Sequence, residues 1–380
     1  MRWAALVRKS LLESVRDWKI LILALAFAPF FVVVMRFYNE AGTTVYRVAV
    51  LHHDAGPRGA ALVAAIAARR PADGGEVLEL REARDSAAGR ALLEARAADL
   101  VVEIPPDFSA ALDTTRATSG AEPATVRSYG DPSNPKYLVA AALADYLAYE
   151  YAALVTGQRS PIALDPRTIG QVRRLDDFAL YVPALLGLAV MMLLFTAAAP
   201  LIREKDKGTL VRLRLSPMTA FEWLAAVSVV QLIVGVVTVG LTYLTALALG
   251  YRTSGSLVAL VAVAALASLS LVGISVLVAA WLRTIFDLVT VGCFPFFVLM
   301  FFSGGMFPLP EVNLLTVGGT TVHANDVLPT THAIHAFAKV LNLGKGLGDV
   351  SGDLLAIAVL TVLAYAAGTW LFARRHLRAR

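Results

Sequence analysis

Long apolar runs alternate with short polar stretches along most of this chain, and one soluble-looking segment interrupts the rhythm. Six runs have the composition of membrane-crossing helices, which need about 17 to 25 largely apolar residues. They are Ile20 to Met35, Val182 to Leu201, Trp223 to Leu249, Leu257 to Leu282, Ile285 to Phe302 and Leu354 to Phe372. The first is short and is extended by its interfacial ends. Ahead of it, residues 1–19 set Trp3, Leu6, Val7, Leu11, Val15 and Trp18 at three- and four-residue spacing, with Arg8, Lys9, Arg16 and Lys19 on other faces. That pattern predicts an amphipathic helix lying in the membrane interface. A basic start before an apolar run also suits a secretory signal. The following Arg36-Phe37-Tyr38-Asn39-Glu40 lacks a small-x-small cleavage pattern, so an uncleaved first span is expected.

From residue 36 to 177 the pattern becomes that of an α+β domain. Strands are expected over Tyr46 to Leu51, Val77 to Leu80, Leu100 to Ile104 and Thr125 to Tyr129, and helices over Pro57 to Arg69 and Arg84 to Ala97. Their alternation predicts a small sheet covered by helices. Pro105-Pro106 ends one strand, and Asp107 is placed to start the next helix. Leu138 to Val155 is apolar enough to suggest a seventh crossing. Asp145 and Glu150 would each cost about 2.5 to 3.5 kcal/mol at mid-membrane, so this helix is expected outside the bilayer, packed on protein.

The later runs carry punctuation. Ile285 to Phe302 contains Pro295 and ends at Ser303-Gly304-Gly305-Met306-Phe307-Pro308, which predicts a broken helix or re-entrant pair. Ala262, Ala265, Ser268, Ser270 and Gly273 would let another helix approach closely. Residues 304–353 form a long loop in which Thr316 to Val322 reads as a hairpin through Gly318-Gly319. Between the second and third runs lies a charged island, Arg203-Glu204-Lys205-Asp206-Lys207-Gly208-Thr209-Leu210-Val211-Arg212-Leu213-Arg214-Leu215-Ser216-Pro217. It is expected as a loop at one membrane face. Gly208 breaks it, Leu210 and Leu213 share a face of a short helix, and Ser216-Pro217 stops that helix.

Composition agrees with these runs: 57% of residues are hydrophobic and 17% charged, against roughly half and a quarter in soluble proteins. Mean hydropathy is +0.66. The net charge of +5 is then a matter of topology, and no nucleic-acid partner is implied. With the N-terminus inside, cytoplasmic segments hold fifteen Lys/Arg and the short outer loops hold three: Arg252, Lys339 and Lys345. This asymmetry places both termini and the island in the cytoplasm, and residues 36–177 outside. The lone cysteine, Cys293, lies in an apolar run and is expected to pack.

Candidate chemistry is sparse. No Gly-x-x-x-x-Gly-Lys-Ser/Thr occurs, so no P-loop is present to cradle ATP phosphates; Gly344-Lys345-Gly346 lacks the spacing and the hydroxyl. His332 and His335, three apart, could present two imidazoles on one helix face, but no third ligand stands at comparable spacing, so no metal site is expected. Asp287, four positions beyond Arg283, is expected to pair with it at a helix end. No nucleophile–base arrangement stands out, and an enzyme is not expected.

The island, followed by Phe221-Glu222-Trp223, resembles the cytoplasmic coupling segment of the type-2 membrane subunits of ATP-binding-cassette exporters. Ala98-Asp99-Leu100-Val101-Val102-Glu103-Ile104-Pro105-Pro106-Asp107-Phe108-Ser109 and Tyr129-Gly130-Asp131-Pro132-Ser133-Asn134-Pro135 are similar to signatures of that family's extracytoplasmic domain. Leu328-Pro329-Thr330-Thr331-His332-Ala333 resembles the segment before its outer amphipathic helix, although the hairpin ahead of it departs from the commonest pattern. The resemblance implies a polytopic α-helical permease of the cell membrane with six transmembrane helices and an extracytoplasmic α+β domain inserted between the first two. It implies that Arg203, Glu204, Lys205, Gly208, Thr209, Leu210, Arg212, Leu213, Ser216 and Pro217 meet a separate ATPase subunit. That subunit would bind ATP and magnesium, and this chain would hold no cofactor. A second permease subunit, membrane lipids and a small amphipathic, drug-like cargo are the other implied partners. A cargo-free mechanotransmission or sensor subunit would share the outer domain and the ATPase contact. A secondary transporter would need charged spans and paired halves that this chain lacks.

Overall fold

The computed structural model describes residues 2–40, 45–68, 78–117, 122–134, 136–157, 177–208, 220–305, 312–317, 320–372 and 374–375. The chain divides into two compact units, residues 40–167 and residues 1–39 with 168–380.

The unit of residues 40–167 is built on a four-stranded sheet. Its strands are β1 (Tyr46–His52), β2 (Leu78–Glu82), β3 (Leu100–Ile104) and β4 (Arg127–Tyr129), in the order β2-β1-β3-β4. β1 runs parallel to β2 and to β3, and β4 is antiparallel to β3. Side chains alternate across a strand, so Val48 and Val50 enter one core while Ala49 and Leu51 enter the other. Both faces are covered, which is why β1 reads as a continuous apolar run. One face carries α3 (Pro57–Ala68), α5 (Phe108–Ala117) and α6 (Tyr137–Thr156), through Leu62, Ile66, Phe108, Leu112, Ala140, Ala144 and Leu147. The other carries α4 (Ser86–Glu94), shorter than the expected 84–97 because Asp85 caps its start on the Ala88 amide.

Two buried carboxylates tie the loops of this unit. Asp54 accepts from the Ser109 hydroxyl at 2.6 Å and the Gly59 amide at 3.0 Å, joining the β1–α3 turn to the start of α5. Asp99 accepts from the Arg47 amide and from the Asn134 side chain, both at 2.9 Å. The Gly130-to-Asn134 turn thereby locks onto β3. Gly130 is required there, since a Cβ would lie 1.9 Å from the Tyr137 ring.

The other unit is helical. Its elements are α1 (Arg2–Arg16), α2 (Trp18–Glu40), α7 (Asp177–Met191), α8 (Leu193–Asp206), α9 (Ala220–Ala248), α10 (Leu257–Ala279), α11 (Ile285–Thr290), α12 (Cys293–Phe302), α13 (Pro329–Leu343) and α14 (Ser351–Phe372). A hairpin of β5 (Asn313–Val317) and β6 (Thr320–His323) precedes α13; the expected Gly318-Gly319 tip lies outside the described residues. Seven described helical stretches are long and apolar enough to cross a membrane, against the six expected. The additional one is α6, which meets the length and hydropathy requirement yet buries its alanine face against the sheet.

Several expectations are corrected by local physics. The first apolar helix is 23 residues, because it begins at Trp18 and runs through Arg36 to Glu40. The second run is two helices with a turn at Met192, and its second helix continues through Arg203 to Asp206, so the start of the island is helix rather than loop. The break in the run from Ile285 falls at Val291-Gly292, ahead of Pro295. Proline is tolerated at the third position of a helix, where its missing N–H would be unbonded anyway. Asp287 accepts from the Arg283 and Thr284 amides at 2.8 and 3.0 Å, closing a capping box rather than a side-chain ion pair.

Close packing centres on small residues. A Cβ on Gly368 of α14 would sit 3.0 Å from the Leu277 amide nitrogen and 3.2 Å from the Gly273 carbonyl of α10, so backbone meets backbone. Ser228 of α9 reaches the Tyr365 hydroxyl at 2.7 Å. Phe337 of α13 is fully buried, and Lys339 of α13 pairs with Asp353 of α14 at 2.7 Å.

Candidate functional site

The last turn of α8 carries the first charges of the island, and each is engaged by another element. Arg203 contacts the carboxylate of Asp17, the residue joining α1 to α2. Glu204 receives the Lys9 ammonium of α1 at 2.8 Å, and Lys9 lies 3.5 Å from Glu13 one turn along. Lys205 donates to the carbonyl of Leu282, in the turn between α10 and α11. That carbonyl lies just past the C-terminal end of α10, where the helix dipole favours a cation. Three successive side chains thus fasten α8 to α1, to the α1–α2 junction and to the α10–α11 turn.

α1 is able to do this because of which face it buries. Its apolar residues Trp3, Leu11, Leu12 and Val15 are exposed, while Ser10 and Ser14 are buried. In a membrane interface the apolar face belongs to acyl chains, and small hydroxyls allow close helix approach. Burial works against the Lys9 charge, but the hydrogen bond and charge of Glu204, with Glu13, outweigh it and hold the ammonium above the ordinary lysine value. Below the clamp, Ser14, Asp17, Thr196 and Gln231 line a cavity of about 10 Å³, room for a single water. Thr196 donates to Gln231 at 2.8 Å, with Gln231 almost wholly buried in α9. Pro200 of α8 lies at this level and supplies no amide to the Thr196 carbonyl, leaving the helix a weak point there.

Of the sequence-derived site residues, the structure brings Arg203, Glu204 and Lys205 together as an inward-facing, half-buried clamp. Asp206, Lys207 and Gly208 are exposed, and Gly208 adopts the left-handed conformation (φ 65°) that ends the helix. Thr209, Leu210, Arg212, Leu213, Ser216 and Pro217 lie outside the described residues. Sequence reasoning missed Lys9, Asp17 and the Leu282 carbonyl. The four-residue spacing of Lys9 and Glu13 was the one available signal. Among the described residues no group of three or more His, Cys, Asp or Glu could hold a metal; the His332 ring instead meets the Asp326 carbonyl at 2.9 Å.

A multi-pass helical unit with a charged helix end braced from three sides fits a membrane transport subunit. The model of the family described as ABC-2 family transporter protein matches residues 18–370. The chain belongs to that family. No curated protein matches it. As an ABC-2 permease, it is the membrane part of a transporter that works with an ATPase subunit. The match begins at Trp18, so α1 with Lys9 lies ahead of it, while Asp17 stands at its edge.

Proposed function

We propose that this permease exports a small amphipathic or lipophilic compound, driven by a separate ATPase that docks at 203–217 on the cytoplasmic face. The clamp at Arg203, Glu204 and Lys205 supports this reading above any other observation. A push delivered at Gly208 and beyond would reach α8, α1 and the α10–α11 turn together, instead of being absorbed by one frayed helix end. Pro200 and the Met192 turn give α7 and α8 two points at which to bend. ATP and magnesium would be held by the ATPase, whose closure shifts the equilibrium of the membrane helices between inward- and outward-open states. Two permease copies would line the path, and residues 40–167 would stand outside the cell.

The test uses the permease purified with its ATPase and reconstituted in vesicles. Glu204→Ala and Gly208→Ala should each lower transport per ATP hydrolysed while insertion and ATPase binding persist. Gly208→Ala strains a left-handed residue by roughly 1 kcal/mol. Transport unchanged in both variants would refute the coupling role.

A further inference from the structure

The turn that receives Lys205 carries a cation of its own and is met by another from the end of the last helix. Arg283 follows Leu282 directly, and both it and Arg375, beyond the end of α14, are close enough to repel the Lys205 ammonium. Arg375 lies with its guanidinium 3.6 Å from the centre of the Trp281 ring, and Arg374 lies 5.2 Å from that of Trp370. Arg283, Arg374 and Arg375 are exposed. One carboxylate stands nearby: Asp287 accepts from the Arg283 and Thr284 amides and offsets part of the charge of Lys205 and Arg283. Among the described residues no carboxylate forms an ion pair with Lys205, Arg283, Arg374 or Arg375.

Three cations, Lys205, Arg283 and Arg375, gathered around the single carboxylate of Asp287 leave an excess of positive charge, and so an anion site. A guanidinium lying over a ring still presents its N–H edge, the geometry that grips a phosphate. The surroundings select the source of that phosphate. Trp281 and Trp370 are 61% and 58% exposed, as aromatic residues at the headgroup level of a bilayer are. Phe286 of α11 and Leu363 of α14 offer exposed apolar surface to acyl chains. We propose that Lys205, Arg283 and Arg375 bind the headgroup of an anionic phospholipid, wedged between the α10–α11 turn and the end of α14. Because Lys205 also belongs to the clamp, the lipid would set how firmly α8 is held. The proposal rests on the membrane character of the helical unit and needs neither the direction of transport nor the ATPase contact.

The experiment is native mass spectrometry of the detergent-purified chain offered equal amounts of phosphatidylglycerol and phosphatidylcholine with matched chains. The wild type should retain phosphatidylglycerol at least roughly tenfold better. Arg283→Gln with Arg375→Gln should erase that preference, and lysine at both positions should restore most of it. Arg375→Gln alone, at an exposed position near the chain end, should weaken it and serves if the double variant does not fold. Equal retention of the two lipids by the wild type, or an undiminished preference in the glutamine variants, overturns the proposal. So does displacement of the lipid by millimolar inorganic phosphate, which would make free phosphate the ligand.

Discussion

Lys9 and Glu204 lie 195 positions apart and meet at 2.8 Å, one at each end of a contact that no local pattern announces. Such a partly exposed pair contributes only about 0.2 to 1 kcal/mol, so its value is in geometry more than in stability. A charge reversal at either position, Lys9→Glu or Glu204→Lys, should therefore impair ATP-driven transport with little change in melting temperature. The double exchange should recover transport measurably, and raised salt should mimic the single variants. Asp54 offers a contrasting residue. Burial alone would raise its carboxyl, but the Ser109 hydroxyl and amide and the Gly56 and Gly59 amides hold it below the ordinary value near 3.8. Its contribution is present above that value and is lost as the pH falls through it toward the lowered one. Asp54→Asn should lower stability at neutral pH by about 1 to 3 kcal/mol and flatten the acid limb of a thermal unfolding series. Residue types were legible in both cases, partners in neither. Helical periodicity sorts Lys9 onto a polar face, and only the fold reveals that this face meets α8.

At the scale of elements the sequence was read most faithfully where one physical rule acted alone. β3 has its expected bounds, because Pro105 ends it and Ala98-Asp99 precede it. Boundaries moved where two rules competed. Pro295 invited a break, but Gly292 supplies one three residues earlier, where a Cβ would lie 2.3 Å from the Leu288 carbonyl oxygen. The charges of Arg203 to Asp206 suggested a loop, whereas cations on a helix's last turn favour its dipole and prolong it. Helix contacts were legible as small residues but not as pairs. Gly368→Val would drive a side chain into the Leu277 backbone, and overpacking of this kind costs about 1 to 3 kcal/mol. A lowered melting temperature in detergent, with Gly352→Val near-neutral because nothing lies within 4 Å there, is the expected outcome.

The described residues gather into separate hydrophobic cores. One joins the membrane helices, and the others lie on the two faces of the sheet of residues 40–167. A unit with its own core should fold without the rest. Residues 40–167 expressed alone should give a cooperative thermal transition and a mixed helix and sheet circular dichroism spectrum; a featureless unfolded chain would contradict this. The fold class was legible because apolar runs of membrane length need no long-range information. The division of labour within the helical unit was not, since it depends on which helices touch. Consider the Gly368–Gly273 contact in that light. Helix backbones pressed together at Gly368 leave little side-chain cushion to deform there, which favours α10 and α14 moving as one. Whatever travel this machine needs must be taken up where backbone is not locked, at Met192, Pro200 and Val291-Gly292, which turns a pair of missing methyl groups into the fixed axle of the assembly.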